Sequence, residues 1–158
     1  VATLTAAGNA ASSRGSLKLD RFIAPLASSA PIDLSSIQSV DIRQLAGAFD
    51  IAGGRVHAED WAISSKTGDW LVRGSFGFDG SLDYDVQISI PPAVQRDMKD
   101  LAKYGELVDL LRDGNGNLLL HFTVGGTVKK PTAVLDLEGA KKKGAEKLID
   151  RLRERFLR

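Results

Sequence analysis

The sequence predicts a mainly β protein with helices (α+β): a curved antiparallel sheet of glycine-turn hairpins with one apolar face. Three observations predict it. A short pattern occurs three times, in which Phe, any residue and an apolar residue precede a glycine turn and a further apolar residue. It reads Phe49-Asp50-Ile51-Ala52-Gly53-Gly54-Arg55-Val56, then Phe76-Gly77-Phe78-Asp79-Gly80-Ser81-Leu82, then Phe122-Thr123-Val124-Gly125-Gly126-Thr127-Val128. Two-residue alternation around glycine marks an antiparallel hairpin with one apolar side. Finally, two stretches change to helical spacing, one near 92–112 and one at the C-terminal end.

Taken in order, Leu17 and Leu19 alternate before Phe22 and Ile23, with Ser12-Ser13-Arg14-Gly15 as a turn, so the first 24 residues read as interrupted strands. Residues 25–46 carry Pro25, Pro31 and a serine-rich stretch, which predicts a loop with a short helix. From 48 to 90 the pattern is strongly β. A two-residue turn at Gly53-Gly54 pairs Ile51 with Val56 and Phe49 with Ala58, and Gly-Gly suits a type I′ turn because both positions need positive φ.

In the second hairpin a two-residue Asp79-Gly80 turn would set Phe76 opposite Asp83. A three-residue loop, Phe78-Asp79-Gly80 with Gly80 left-handed, instead sets Phe76 opposite Leu82 and Val72 opposite Val86, so the odd loop is expected. Between the hairpins the apolar parity switches from even (Val56, Ala58) to odd (Trp61, Ile63), which predicts a bulge near Glu59-Asp60. Asp83, Asp85, Gln87 and Ser89 alternate with the apolar residues, giving one wet and one dry face.

Pro91-Pro92 ends the strand and opens a helical stretch, with Val94, Met98, Leu101 and Ala102 on one side and Gly105 as a break or kink. Asp113 to Asn117 reads as a turn, and Leu118, Leu120, Phe122 and Val124 as a strand. A last short strand is expected near 133–137. Beyond Gly139, Ala145, Leu148, Ile149, Leu152 and Phe156 form a helical stripe.

At 158 residues the chain fits a single domain, with 1–46 as looser strands and loop, 48–137 as a β core with its helical insert, and 139–158 as a basic amphipathic helix. Apolar content of 43% and charged content of 26% are those of an ordinary globular protein. No run reaches the length of a membrane-spanning helix, and no signal peptide is visible. The chain starts at Val1 without methionine, so it reads as a piece of something longer. The absence of cysteine excludes disulfides and thiolate metal sites. Charge is uneven: residues 141–158 hold eight Lys or Arg against three Asp or Glu, leaving 13 basic against 17 acidic residues before them. A basic tail on a mildly acidic body suggests an anionic partner for the tail, or a solvated helix.

No catalytic constellation stands out. Asp113-x-Asn115-x-Asn117 opens like a calcium loop, but Leu118 and Val124 stand where Gly and Glu are needed. Gly74-x-x-Gly77-x-x-Gly80 lies in a strand and its hairpin, whereas a phosphate cradle belongs between a strand and a helix. His57 and His121 lack a spaced partner and share the polar parity, which favours solvent exposure over a metal. No nucleophile elbow or isolated carboxylate pair is present. The expectation is therefore no enzyme, no metal and no cofactor.

In the tail, one reading has Lys141, Lys142, Lys143, Arg151, Arg153, Arg155 and Arg158 meet lipid headgroups while Leu148, Leu152 and Phe156 dip inward. Docking of the same stripe on the sheet is the commoner fate of such a helix. Nucleic acid is not expected as a partner, because the body is acidic and the helix lacks interleaved aromatics.

The stretch from Ala48 onward resembles the C-terminal region of the AsmA family (AsmA/TamB/YhdP-like proteins). Phe49 to Val56 looks like its "Phe-x-Ile-x-(Asn/Gly)-Gly-x-Val" strand. Val72-Arg73-Gly74-Ser75-Phe76-Gly77-Phe78-Asp79-Gly80-Ser81-Leu82-Asp83-Tyr84 resembles its next hairpin. Gly116-Asn117-Leu118 and the stretch from Phe122 to Val128, followed by Pro131, resemble its closing signature, so the likeness covers about residues 36–137. It implies part of an inner-membrane-anchored protein in the periplasm of a Gram-negative-type bacterium, with a β-sheet groove that conducts phospholipid towards the outer membrane. It brings no catalytic residues.

On this reading Phe49, Ile51, Val56, Val72, Phe76, Leu82, Tyr84, Val86 and Ile88 line or underlie a phospholipid groove, formed or capped by the apolar face. The helices near 93–112 and 141–158 compete for the same face. The alternative is a structural or interaction domain that docks a periplasmic, outer-membrane or membrane partner through its sheet edges or basic helix without carrying lipid.

Overall fold

The computed structural model describes residues 3–18, 24, 34, 37, 39–99 and 101–136. Its elements are β1 (Ala6–Ser12), β2 (Gly15–Lys18), β3 (Ser39–Ala52), β4 (Arg55–Ser65), β5 (Asp69–Gly77), β6 (Leu82–Ile90), α1 (Pro92–Gln95), a 3-10 turn (Leu101–Tyr104), α2 (Gly105–Leu111), β7 (Leu118–Gly126) and β8 (Pro131–Leu135). They form one open antiparallel sheet in sequence order, β1-β3-β4-β5-β6-β7-β8, with β2 beside β1 on the same flank of β3. Ser12 faces Leu45 and Gly15 faces Ile42, so β1 and β2 hold one register across Ser13-Arg14. Tight turns join β3 to β4, β4 to β5, β5 to β6 and β7 to β8, whereas β6 reaches β7 through the helical insert.

The hairpin registers follow from parity. Ile51 pairs with Val56 and Phe49 with Ala58, around Gly53 and Gly54 at φ of 58° and 74°. Phe76 pairs with Leu82 and Val72 with Val86, with Gly80 at φ of 86° closing the three-residue loop. A register shift between Ala58 and Trp61, with Asp60 at φ of 45°, is the bulge that switches the apolar parity of β4.

Three expectations are corrected. The stretch 39–46 is not loop: β3 begins at Ser39, with Val40 paired to Leu17 and Ile42 to both Gly15 and Ser65. A register shift between Ile42 and Gln44 puts Val40 and Ile42 out of step with Leu45, which hid the alternation. The helical insert is three short turns rather than one stretch from Pro92 to Gly105, and the break expected at Gly105 falls where the last of them starts. The last strand is Pro131–Leu135, displaced from 133–137, because Gly126 faces Pro131 and Phe122 faces Leu135. The C-terminal helix expected over 139–158 lies outside the described residues.

The core occupies the dry face where the insert packs on it, together with Leu34 and Ile37. Leu34, Ile37, Val40, Ile88, Ile90, Leu118, Leu120 and Phe122 are almost completely buried, joined by Met98, Leu101, Val108 and Leu111 from the insert. Gln95 anchors the insert: its Nε2 donates to the carbonyls of Ile90 (2.8 Å) and Gly116 (2.9 Å), and its Oε1 accepts from Arg112 Nε (3.2 Å). These bonds satisfy a buried amide at the point where the chain leaves β6 and re-enters β7.

Candidate functional site

Cross-strand partners share a face, so the registers sort the dry face into rows. Next to the glycine turns runs Ile51–Val56–Phe76–Leu82. Behind it lie Phe49, Ala58, Gly74, Tyr84 and Val124, then Trp61, Val72, Val86 and Phe122, and then Leu45, Ile63, Trp70, Ile88 and Leu120. From β5 through β8 this face carries no charged residue; Arg73, Asp83, Asp85 and His121 take the opposite parity.

Burial divides the rows. Ile63, Trp70, Ile88 and Leu120 are sealed, while Phe49, Ile51, Val56, Val72, Phe76, Tyr84 and Val86 are half-buried. The nine residues expected from the sequence to face lipid thus share one face, but they are of two kinds. Ile88, at 0% exposure, is core beneath the insert side and cannot line an open groove. Leu82, at 9%, is likewise buried at the β6 start. The other seven candidates form one contiguous half-buried apolar surface at the turn end. Lys141, Lys142, Lys143, Leu148, Arg151, Leu152, Arg155 and Phe156 lie outside the described residues.

Two tryptophans belong to this face and parity alone did not single them out. Trp61 lies over Gly47, where an added Cβ would collide with its ring, and its Nε1 donates to the Ala48 carbonyl at 2.6 Å. Phe49 covers Gly8 in the same way, with the Cβ position 3.0 Å from Cζ. Small residues on β1 and β3 thus leave room for aromatic rings to lie flat, and glycine opposite an aromatic was the available signal. Trp70, 8% exposed, has a buried indole N–H without a hydrogen-bond partner, a cost the surrounding apolar packing must offset.

Polar groups bind the hairpin ends together from the other side. Arg55 Nε donates to Ser75 Oγ (2.8 Å), and its Nη1 donates to Ser81 Oγ (2.7 Å). Asp79 accepts from both the Oγ (2.7 Å) and the N–H (2.9 Å) of Ser81, and these bonds hold its carboxyl below the usual 3.8. Burial raises the Tyr84 phenol above its usual 10.0, partly opposed by the Arg55 guanidinium.

His121 is not simply solvated: its ring nitrogens meet Asp85 and, at 3.4 Å, Asp136. Asp113 accepts from the N–H groups of Asn115 (2.8 Å) and Asn117 (2.9 Å), so the calcium-like spacing forms a turn. Among the described residues no group of His, Asp or Glu is arranged to hold a metal, and no helix is long and apolar enough to cross a membrane.

The arrangement offers apolar burial beside a polar, hydrogen-bonded turn end, with no reacting group converging on it among the described residues. No family model, curated protein or solved structure matches the chain.

Proposed function

We propose that this chain is a non-enzymatic module that takes the acyl chains of phospholipid on the half-buried part of its dry face. The single observation that carries the reading is the division of that face: part of it is sealed core, while Phe49, Ile51, Val72, Phe76 and Tyr84 keep a continuous, uncharged, partly open surface. Such a surface gains about 0.8 kcal/mol for each buried CH₂ and discriminates little between headgroups. With the AsmA-like order of motifs, it suits a periplasmic, inner-membrane-anchored lipid-transfer protein that serves the outer membrane. Native mass spectrometry of the purified protein tests this. Co-purifying phospholipid is expected, and a lipid-free protein that also ignores an added fluorescent phospholipid refutes it.

A second reading, an interaction domain, draws on the β1 edge. Ala6–Ser12 is uncharged and small-sided, pairs among the described residues on one side only, with β3, and lacks the proline or lysine that guards many edges. A partner strand adding there would be lost in Ala10→Pro, while lipid binding at the turn end would persist. Loss of neither, or of both together, speaks against this reading.

A further inference from the structure

The three glycine turns are alternate turns of one meander, so they fall at the same end of the sheet, and hydrogen bonds join them into a rim. Phe78 N–H donates to the Gly54 carbonyl (2.9 Å), and Val128 N–H donates to the Gly80 carbonyl (2.9 Å). A further bridge pairs Ser81 with Thr127. On this rim two apolar side chains point into solvent, Phe78 at 56% exposure and Val128 at 41%. Lys129 and Lys130 follow, both exposed and without an ion-pair partner among the described residues. The one acidic side chain of the second turn, Asp79, is engaged by Ser81.

We propose that this rim docks on an anionic bilayer surface. Phe78 and Val128 enter the boundary between headgroups and acyl chains, while Lys129 and Lys130 lie at the lipid phosphates. Exposed apolar tips on tied turns with adjoining lysines match that surface in both chemistry and charge. The row Ile51–Val56–Phe76–Leu82 comes next behind the rim, so docking presents the dry face to the membrane at its half-buried end. This extends the lipid-binding reading by giving it a loading end. It stands on the exposure and charge of the rim, however, so vesicle docking and lipid retention can fail independently.

The absence of cysteine allows the rim to be probed in the full chain, basic C-terminal segment included. Phe78→Cys and Val128→Cys carry an environment-sensitive fluorophore, with Asn115→Cys, on the turn before β7 at the opposite end of the sheet, as control. On vesicles of one part phosphatidylglycerol to three parts phosphatidylethanolamine, the rim labels should shift to the blue and be quenched by brominated acyl chains, and the control should not. In the unlabelled chain, Lys129→Ala with Lys130→Ala should weaken vesicle binding roughly 25-fold, about fivefold per lysine, and added salt should shrink the difference. Rim labels that stay in water, whether the protein binds by another surface or does not bind, overturn the proposal. So does a lysine variant that binds like the parent.

Discussion

Ile88 and Phe76 occupy the same apolar face, yet the fold assigns them different work, and truncating each should separate core from site. Ile88 is fully buried between Trp70 and Leu120 in its cross-strand row. Ile88→Ala leaves a cavity that the packed residues around it cannot fill, so a loss of about 3–4 kcal/mol is expected, within the usual range for complete burial. Against a total of roughly 5–15 kcal/mol for a domain this is a large fraction. Phe76 is half-buried at the turn end. Phe76→Ala forfeits only the covered part of its ring and should cost roughly 1–2 kcal/mol. Urea denaturation followed by Trp61 and Trp70 emission reads both values, with unchanged slopes as the check for a two-state comparison. Phospholipid at about a hundred times its Kd should then add about 2.7 kcal/mol to the parent and to Ile88→Ala. Most of that gain should vanish in Phe76→Ala. Equal costs for the two truncations, or equal lipid protection in both, would refute the division of the face.

Three further outcomes are expected. Gly74 sits at φ of 132°, and an added Cβ would press on the backbone of β6, 2.7 Å from Tyr84 Cα. Gly74→Ala should therefore cost about 3 kcal/mol or more in the same denaturation assay, whereas Gly80→Ala, with open space around it, should cost roughly 1–2 kcal/mol. Trp70→Phe trades ring area for removal of an unsatisfied donor, so its midpoint should shift by less than about 1 kcal/mol, and a shift as large as that of Ile88→Ala would contradict the orphan N–H. Because burial raises the Tyr84 phenol, the unfolded chain releases that proton first: this contribution to stability is intact below pH 10.0 and is lost as pH rises through the folded value. Phenolate absorbance during an alkaline titration, compared with Tyr84→Phe, should show it; a phenol that ionises at or below 10.0 would not fit.

Much of the hairpin geometry was legible because it depends on local rules. Parity together with loop length set the Ile51–Val56 and Phe76–Leu82 pairs, and the parity change in β4 marked the bulge at Asp60. What failed was of longer range. The start of β3 was masked by a bulge whose partners are 23–27 residues away in sequence, as in Ile42 with Gly15 and Ser65. The broken insert took the spacing of one helix because Met98 and Leu101 are both buried, although Met98 lies between the first two turns and Leu101 starts the second.

The sequence by itself determined an antiparallel sheet, its wet and dry faces and the chemistry of its turns, since strand period and glycine conformation act over a few residues. Which part of the dry face is core and which is a partly open surface was decided only by the tertiary structure. Burial is a property of what packs on a face: residues of the insert, with Leu34 and Ile37, join Ile88, Ile90 and Leu118 in the buried core, while Phe49, Ile51 and Phe76 stay half-buried. The exposed rim of Phe78, Val128 and the two lysines likewise arose only when three distant turns were brought to one end of the meander.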